Sequence, residues 1–547
     1  MPTKYIVVLG SLLSGIGKGI LSSSIIKVLS IYDVKVMPLK FDGYLNYDCG
    51  TMNPLKHGEV FVLDDKSEVD MDFGTYERFL NTDLTGASSM TGGKVFSEII
   101  AKERRGDFLG SDVQIIPHLT GHILEKIRNI SKDNDLDVML IEVGGTVGDI
   151  ENSYFIEAMR ELALKNKVVF INVTYVPELE VVGEQKTKPT QLALRSLMQI
   201  GIQPNFIITR SESMLKKKTK EKIALFANLL EERIIDNRDV GNIYRIPLNF
   251  IDGGFAAQLI NELGLKDMKP NEAKLAAWKN YIANMEDGKK TVNIGVVGKY
   301  VNLHDSYVSI KEALIHAAAS QQLKVNINWI ESESLETGKP TIDEQLKEFD
   351  GILVPGGFGS RGIHGMINSI QYAREHSIPY LGICLGMQLM AIEFARNVAN
   401  MEAADSTEFN PNAKYRIIDI MESQKSITGK GATMRLGSWP AIIKQGTYAS
   451  SFYDSELIHE RHRHRYEFNN EYRAQLDQFG LRIGATTPDG RLVEIIEWKN
   501  SFGIGTQAHP ELKSRPERPA PLFMGFMSNA AKNAVKRTTT EKILVPV

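Results

Sequence analysis

The sequence predicts an α/β protein built from two parallel-sheet domains. Three observations support this fold class. Apolar, strand-like runs alternate with helix-like stretches through the first half of the chain, and a glycine-rich turn follows the first of these runs. A second alternation of the same kind begins after a polar segment near residue 285. At 547 residues the chain is long enough for about two to four domains.

The first domain is predicted at residues 1–270. Its candidate strands are Tyr5 to Leu9, Val34 to Leu39, Val138 to Val143, Val168 to Val173 and Phe206 to Ile208. The chain between them is long enough for helical crossovers, which parallel strands require. These runs therefore predict a parallel sheet covered by helices.

A linker is predicted at residues 271–290, where the chain is polar and helix-prone. The second domain follows at residues 291–547. Its candidate strands are Val292 to Gly298, Val325 to Trp329, Gly351 to Pro355 and Tyr380 to Cys384. The tail from about Lys532 is basic and then apolar, and the sequence gives no account of it.

The composition is that of a soluble globular protein, with 43% hydrophobic and 24% charged residues. A net charge of −3 gives no global attraction to nucleic acid, and no apolar run approaches the length of a membrane span. The chain runs from Met1 straight into a strand-like segment rather than a secretory signal, so we expect a cytoplasmic protein. Cys49 and Cys384 allow at most one disulfide, and the setting of Cys384 favours a free thiol.

Cys384 lies between two glycines, directly after an apolar run, in the sequence Gly382-Ile-Cys-Leu-Gly386. Such a sharp strand-to-helix turn exposes a nucleophile beside a backbone N–H that can face an oxyanion. His509 is a candidate base and Glu511 a candidate orienting carboxylate, which together would complete a catalytic triad. A buried, inert cysteine is the alternative.

A phosphate-binding loop is predicted between Gly10 and Gly19, where the first strand meets a serine-rich helix. Lys18 is placed to reach the outer phosphates of a nucleotide. The glycine spacing is longer than in the usual P-loop, and Gly19 replaces the hydroxyl residue that would touch Mg²⁺. A tight turn without a ligand is the alternative.

Carboxylates at strand ends are candidates for the missing magnesium ligands. Asp72 lies in an acidic stretch and Glu142 ends an apolar strand; a solvated loop acid is the alternative for Asp72. Lys40 ends the second strand and is a further candidate for phosphate charge. The segment Lys186-Thr-Lys-Pro-Thr-Gln191 combines cations, hydroxyls and an amide, so it is either a triphosphate site or a solvated loop.

Several strings of residues together resemble the CTP synthase family. They include the unusual phosphate loop, Tyr44 to Met52, His57 to Val60, Gly144-Gly-Thr-Val-Gly-Asp-Ile-Glu151, Lys186 to Gln191, and the Cys384 elbow with His509-Pro-Glu511. The resemblance runs in order through nearly the entire chain. It implies an N-terminal P-loop-like amidoligase (synthetase) domain joined to a C-terminal class I glutamine amidotransferase domain.

The resemblance implies that ATP phosphorylates UTP at O4 and that ammonia from glutamine then displaces the phosphate, giving CTP. Mg²⁺ would be the cofactor, held by Asp72 and Glu142. The implied ATP-binding residues are Ser14, Gly15, Ile16, Gly17, Lys18, Gly19, Ile20, Lys40 and Asp72. The implied UTP and CTP contacts are Ser14, Asp149, Ile150, Glu151, Lys186, Thr187, Lys188, Pro189, Thr190, Gln191 and Lys222.

In the second half, the resemblance implies that Cys384 attacks the glutamine amide while His509 moves the proton and Glu511 orients it. Glutamine would be held by Gly357, Leu385, Gly386, Met387, Gln388, Glu408 and Arg465. An ammonia gate is implied at Pro54, His57 and Val60; a structural histidine is the alternative for His57.

The resemblance also implies regulation and assembly. GTP would activate through the loop around Arg435, CTP would inhibit at the UTP pocket, and a homotetramer able to form filaments is expected, without nucleic acid or membrane partners. Two alternatives are another ATP-dependent amidoligase acting on a carboxylate and a filament-forming, non-catalytic relative. Ser11 and Gly43 depart from the family's glycine and proline, and Gly43 predicts a looser segment.

Overall fold

The structure is a computed structural model that describes residues 2–179, 183–424 and 431–544. The chain divides into two compact units by its internal contacts. Unit 1 consists of residues 1–49 and 75–279, and unit 2 of residues 50–74 and 280–547. We call residues 50–74 the arm, because this stretch of the N-terminal half is grouped with the C-terminal half.

The strands of the described residues, in chain order, are β1 (Lys4–Gly10), β2 (Val36–Asp42), β3 (Phe61–Val62), β4 (Glu68–Val69), β5 (Ser89–Thr91), β6 (Val138–Val143), β7 (Val168–Tyr175), β8 (Glu178–Leu179), β9 (Glu184–Gln185), β10 (Phe206–Ser211), β11 (Ile234–Arg238), β12 (Lys290–Gly298), β13 (Leu323–Glu331), β14 (Gly351–Val354), β15 (Tyr380–Ile383), β16 (Ala404–Ser406), β17 (Tyr415–Ile420), β18 (Arg435–Ile443), β19 (Leu457–His464), β20 (Tyr466–Phe468), β21 (Leu481–Thr486), β22 (Val493–Trp498) and β23 (Gly503–Thr506). The strands predicted from the apolar runs are all present.

The α-helices of the described residues are α1 (Lys18–Ile31), α2 (Pro54–His57), α3 (Asp72–Leu80), α4 (Gly92–Arg104), α5 (Thr120–Asp133), α6 (Ser153–Leu162), α7 (Lys188–Gln199), α8 (Lys217–Ala227), α9 (Ile246–Asp252), α10 (Phe255–Glu262), α11 (Glu272–Glu286), α12 (Val308–Ser320), α13 (Ile342–Leu346), α14 (Ile363–Glu375), α15 (Leu385–Asn397), α16 (Arg473–Phe479) and α17 (Pro521–Leu544). Helix α11 occupies most of the predicted linker. Helix α17 takes up the tail as far as residue 544.

Unit 1 is built on a parallel sheet in the order β11-β10-β7-β1-β6-β2-β5. Its central strands are mostly apolar because helices cover both faces, as in β6, where every residue is buried and only Glu142 is charged. The carboxyl ends of these parallel strands lie along one edge of the sheet. Open α/β sheets bind their ligands at that edge.

Unit 2 contains a mixed sheet in the order β13-β12-β14-β15-β23-β22-β21-β18-β19. The strands from β13 to β23 are parallel, and those from β22 to β19 are antiparallel. Helices α12 and α17 pack in one apolar cluster and α14 and α15 in another. The expected α/β architecture is thus confirmed for both halves.

None of the helices in residues 2–179, 183–424 and 431–544 combines the length and apolar character needed to cross a membrane.

Candidate active sites

Cys384 occupies a sharp turn between β15 and α15. Its backbone has φ 52° and ψ −100°, a conformation that is costly for a residue with a side chain. The Cys384 N–H donates to the carbonyl of Thr506 at 2.7 Å, and its own carbonyl accepts from Gln388 N at 3.1 Å. The surrounding hydrogen bonds therefore hold the nucleophile elbow that the sequence predicts.

The glycines on either side of Cys384 are required by close approach. A Cβ on Gly382 would lie 2.7 Å from the backbone of Gly386, and a Cβ on Gly386 would lie 2.1 Å from the carbonyl oxygen of Val354. Real Cβ atoms are not found at such distances. The glycine pattern therefore serves the packing of α15 against β14 and β15, which sets the position of Cys384.

The structure brings His509 and Glu511 together. His509 Nδ1 lies 2.7 Å from Glu511 Oε1, and both residues belong to the turn that follows β23. Burial acts to lower the pKa of His509, but the charges of Glu511 and Cys384 outweigh it and raise that pKa to about 10. His509 Nε2 makes no hydrogen bond to a described residue, although Cys384 is near enough to contribute to the raised pKa of His509.

The glycine-rich loop after β14 comes close to both Cys384 and His509. A Cβ on Gly356 would lie 3.0 Å from His509 Cε1 and 3.6 Å from Cys384 Cβ, whereas one on Gly357 would make ordinary contacts. Lys299, at the end of β12, donates to the carbonyl of Gly359 and is almost completely buried. Burial lowers the pKa of Lys299 to about 8.

The predicted glutamine contacts other than Arg465 fall around this loop and the elbow. The first turn of α15, which carries Leu385 to Gln388, is buried, and Glu408 Oε1 accepts the N–H of Gly359 at 3.0 Å. Burial raises the pKa of Glu408, against the influence of that N–H and of Lys299. Arg465 donates to Gln424 Oε1 and Thr433 Oγ1, each at 2.7 Å.

A small cavity of about 90 Å³ opens beside Cys384 and His509. Two of the predicted gate residues in the arm, Pro54 and Val60, line it. Its volume suits a few molecules of the size of water or ammonia. The third predicted gate residue, His57, is exposed at the end of α2 and is not among the lining residues.

Sequence reasoning missed two residues of this site. Gln507 donates to Cys384 Sγ at 3.5 Å, and its carbonyl oxygen accepts from Gln388 Nε2 at 3.1 Å. Lys299 was missed as well. Lys299 could have been identified from its position at the end of a predicted strand, which is the criterion that made Lys40 a candidate.

Arg435, predicted to belong to a regulatory loop, is buried at the start of β18. Its Nη2 lies 2.7 Å from Glu494 Oε1, and its guanidinium lies over the ring of Trp439. Burial raises the pKa of Glu494, although Arg435 opposes this. The pair is therefore an ion pair almost without access to solvent.

In unit 1, the predicted phosphate loop joins β1 to α1. Gly15 and Gly17 have φ of 72° and 83°, values that glycine adopts without strain. Lys18 lies back over the loop and donates to the carbonyl of Gly145 at 2.7 Å; a Cβ on Gly10 would lie 2.6 Å from its Nζ. Gly10 thus leaves room for the lysine side chain in this position.

Other residues complete the loop. The Ser11 hydroxyl donates to Asn172 Oδ1 at 2.6 Å, which accommodates this departure from the family pattern. Arg210, at the end of β10, donates to the carbonyl of Gly15 at 3.1 Å. Sequence reasoning missed Arg210, which the sequence shows only as an isolated cation near a strand end.

Glu142 and Lys40 lie side by side on β6 and β2 at the ligand edge of the sheet. Both are buried, and Glu142 Oε2 accepts from the Tyr76 hydroxyl at 2.6 Å. A buried carboxylate beside a lysine at this edge suits a magnesium ion carried by nucleotide phosphates. Asp72 starts α3 in the arm, which is grouped with unit 2, so its pairing with Glu142 on one ion stays a prediction.

Among the residues that the structure describes, no group of three or more His, Cys, Asp or Glu side chains is placed to hold a metal ion by itself. A magnesium ion that takes its remaining ligands from phosphates and water does not require such a group.

The loop that begins at Gly144 follows β6 at the same edge. Asp149 Oδ2 accepts the N–H of Thr146 at 2.8 Å, and Ile150 is exposed. Gly43, expected to loosen its segment, is better explained by packing. A Cβ there would lie 2.6 Å from the carbonyl oxygen of Glu151, so the glycine allows a close approach of two backbones.

The segment Lys186 to Gln191 forms the start of α7. Its side chains divide into two sets: Thr187, Thr190 and Gln191 are buried, whereas Lys188 is exposed. The hydroxyl of Thr187 accepts from Gln191, and Thr190 bonds the carbonyl of Tyr175. The buried side chains of this segment therefore stabilise the start of the helix.

Two cations flank this helix start. Lys186 Nζ lies 2.5 Å from Glu184 Oε2, and Lys222 on α8 acts on the same carboxyl. The hydrogen bond from Lys186, together with the positive charge of Lys222, lowers the pKa of Glu184. The structure thus brings together two of the cations assigned to UTP.

Together these features define a class of protein: an α/β unit with a phosphate-type loop, joined to a unit with the cysteine elbow and His-Glu pair of a glutamine amidotransferase. Comparisons with known proteins agree. The family model described as CTP synthase N-terminus matches residues 4–265, and that of glutamine amidotransferase class-I matches residues 302–529.

Relatives match across almost the whole chain. A CTP synthase of Carboxydothermus hydrogenoformans is 49% identical over 534 residues, covering 97% of this chain and 99% of the relative. A CTP synthase of Pyrococcus furiosus is 49% identical over 543 residues, covering 98% and 100%. A solved glutaminase domain of Trypanosoma brucei CTPS with bound acivicin is 39% identical, with a TM-score of 0.41, and covers 44% of this chain and 94% of its own. The chain belongs to the CTP synthase family, and it is a glutamine-hydrolysing amidoligase.

Proposed function

We propose that this protein converts UTP to CTP, using ATP and the ammonia released from glutamine. The observation that carries the proposal is the elbow in unit 2, where Cys384, His509 and Glu511 line a small cavity together with Pro54 and Val60. Family membership supports the substrates, because the relatives that match the chain almost end to end are named CTP synthases.

The first half-reaction is the hydrolysis of glutamine. Cys384 Sγ attacks the side-chain amide carbon, and the N–H groups of the loop at Gly357 stabilise the oxyanion. His509, whose raised pKa favours the protonated imidazole, delivers a proton to the departing nitrogen while Glu511 fixes its orientation. Ammonia leaves, and water then cleaves the thioester to glutamate.

The small cavity supports transfer of ammonia without loss to solvent. Ammonia has to stay unprotonated in order to react, so a confined path with an apolar wall favours it over ammonium. Pro54 and Val60 supply part of that wall, and we assign them, with His57, to the ammonia gate. Glutamine is held by the residues of the loop and the first turn of α15, with Glu408 and Arg465 at its backbone ends.

The second half-reaction is the activation and amination of UTP in unit 1. The residues from Ser14 to Ile20, with Lys40, hold ATP, and Lys18 places its ammonium beside the carbonyl of Gly145 at the phosphate loop. A magnesium ion held by Glu142 and Asp72 would supply charge neutralisation to the transferred phosphoryl group. UTP is assigned to the start of α7 with Lys222 and Ser14, and CTP to the residues from Asp149 to Glu151.

We also propose how the protein is regulated and how it assembles. CTP inhibits at the triphosphate site shared with UTP, GTP activates through the region of Arg435, and the protein forms a homotetramer. These assignments rest on the resemblance of the sequence to its family. Sedimentation with and without nucleotides and the dependence of the rate on GTP and CTP would test them.

The central experiment follows the absorbance change as UTP becomes CTP, with ATP, Mg²⁺ and glutamine. The Cys384→Ala variant is expected to lose glutamine-dependent synthesis and to keep ammonia-dependent synthesis. Absence of turnover with UTP, together with turnover of another acceptor, would refute the proposed substrate. Equal loss of both activities in Cys384→Ala would show that the cysteine is structural.

A further inference from the structure

The strand β19 contacts both catalytic groups through its backbone. The N–H of His509 donates to the carbonyl of Arg461 at 2.7 Å, and the carbonyl of Arg463 lies 3.9 Å from Cys384 Sγ. Within the described residues, β19 is an edge strand that pairs with β18 alone. A shift of this strand would therefore displace the base and the nucleophile together.

Side chains of β19 alternate between two environments, as in any strand. His462 and His464 are buried on one side, where they bond each other at 3.2 Å. The guanidinium groups of Arg461 and Arg463 meet carboxylates of the arm. Ion pairs of Arg461 and Arg463 therefore hold this strand to the arm.

Asp64 of the arm lies between two cations of the catalytic region. Its Oδ1 is 2.5 Å from Arg461 Nε, and its Oδ2 is 3.2 Å from Lys513 Nζ. Arg461 is fully buried and also donates to the carbonyl of Leu512, in the turn that carries His509. A single carboxylate therefore ties β19 to the far end of the turn that holds the base.

The pKa of Asp64 agrees with this arrangement. Partial burial acts to raise it, but the charges and hydrogen bonds of Arg461 and Lys513 prevail and lower it. Asp64 is therefore ionised across the physiological range. Glu68 of the arm forms a similar ion pair with Arg463, whose carbonyl lies near Cys384: Glu68 Oε1 is 2.8 Å from Arg463 Nε.

The arm is itself bonded to the rest of unit 2 both at its cavity-lining segment and beyond it. The Ser438 N–H donates to the carbonyl of Asp64 at 3.1 Å, and the Glu59 carboxylate accepts the N–H of Ser309 at 3.0 Å. Along the chain, the arm follows β2 and ends in α3, whose Tyr76 bonds Glu142.

We propose that Asp64 is a positioning residue for glutamine hydrolysis, acting through Arg461 and Lys513 on the turn that carries His509. The proposal rests on the proposed function and adds a dependence that the catalytic triad alone does not contain. Glutamine hydrolysis in unit 2 requires a carboxylate supplied by the N-terminal half of the chain. Asp64 does not touch glutamine, so its effect falls on the chemical step rather than on binding.

The test compares full-length Asp64→Asn with Asp65→Asn, a matched change at the neighbouring solvent-exposed aspartate. Asp64→Asn keeps the shape of the side chain and removes its charge. We expect its kcat for glutamine hydrolysis to fall about tenfold, because small displacements of a base are costly, while KM changes less than about twofold. Ammonia-dependent synthesis and the activity of Asp65→Asn should stay within about twofold of the unaltered protein.

A second variant, Asp64→Glu, separates positioning from folding. It restores the charge and should recover part of the lost kcat, at a melting temperature equal to that of Asp64→Asn. The proposal is overturned if Asp64→Asn and Asp65→Asn hydrolyse glutamine equally well. It is also overturned if Asp64→Asn loses glutamine- and ammonia-dependent synthesis in parallel with its melting temperature. If the unaltered protein does not hydrolyse glutamine through Cys384, the proposed function fails instead.

Discussion

Gly386→Ala is a sharp test of the geometry that presents the nucleophile. The added Cβ would lie 2.1 Å from the carbonyl oxygen of Val354, whereas a carbon and a carbonyl oxygen normally approach to about 3.3 Å. Relief of the overlap therefore requires a movement of about 1 Å between the first turn of α15 and β14. Cys384 is the residue immediately before this turn and has to follow it.

The expected cost has two parts. Overpacking of this kind destabilises a domain by about 1–3 kcal/mol. A displacement of about 1 Å at a reacting group lowers the rate about a hundredfold. We therefore expect Gly386→Ala to lower kcat/KM for glutamine hydrolysis about a hundredfold, with a fall of several degrees in the melting temperature.

The assay measures ammonia release from glutamine and, separately, CTP formation from added ammonium salt. Ammonia-dependent synthesis bypasses Cys384 and should be retained. The control is Gly121→Ala on α5, where an added Cβ would meet nothing within 4 Å. Glutamine hydrolysis within threefold of the unaltered rate in Gly386→Ala would refute the argument that close packing at this glycine positions the elbow.

Three further predictions follow from the described contacts. Glu511→Gln removes the charge that raises the pKa of His509, so the alkaline limb of the pH-rate profile for glutamine hydrolysis should move to lower pH; an unmoved limb would contradict the assignment of His509. Lys18→Met removes the ammonium at the phosphate loop and should lower UTP amination about a hundredfold or more while glutamine hydrolysis persists, as kinetic assays of both activities would reveal. Glu494→Gln leaves Arg435 buried without its counter-charge and should destabilise unit 2 by about 3 kcal/mol in denaturant unfolding, whereas the exposed change Glu402→Gln should have no effect.

The fold, the turn at Cys384 and the contact between His509 and Glu511 could be predicted because their signals are local. An apolar run such as Val138 to Val143 predicts a buried strand, and glycines around a cysteine predict an elbow, without knowledge of any distant residue. The His-x-Glu spacing likewise brings His509 and Glu511 together within one turn.

The remaining features depend on residues far apart in the chain. Nothing near Asp64 indicates that it meets Arg461, which lies 397 positions away. The need for glycine at position 43 follows from its close approach to the backbone of Glu151, and the contact of Lys299 is with the carbonyl of Gly359. Such contacts arise from tertiary packing, so local patterns cannot predict them.

The grouping of the arm with unit 2 limits how the gene could be divided into two. The polypeptide passes between the units at residues 49/50, 74/75 and 279/280, so no single cut in the gene separates them. A break near residue 285 would leave the arm on the N-terminal product. The C-terminal product would keep the guanidinium groups of Arg461 and Arg463 without their carboxylates. Selection that keeps the arm with the rest of unit 2 therefore favours one gene for the whole chain. One gene also produces the two units in equal numbers.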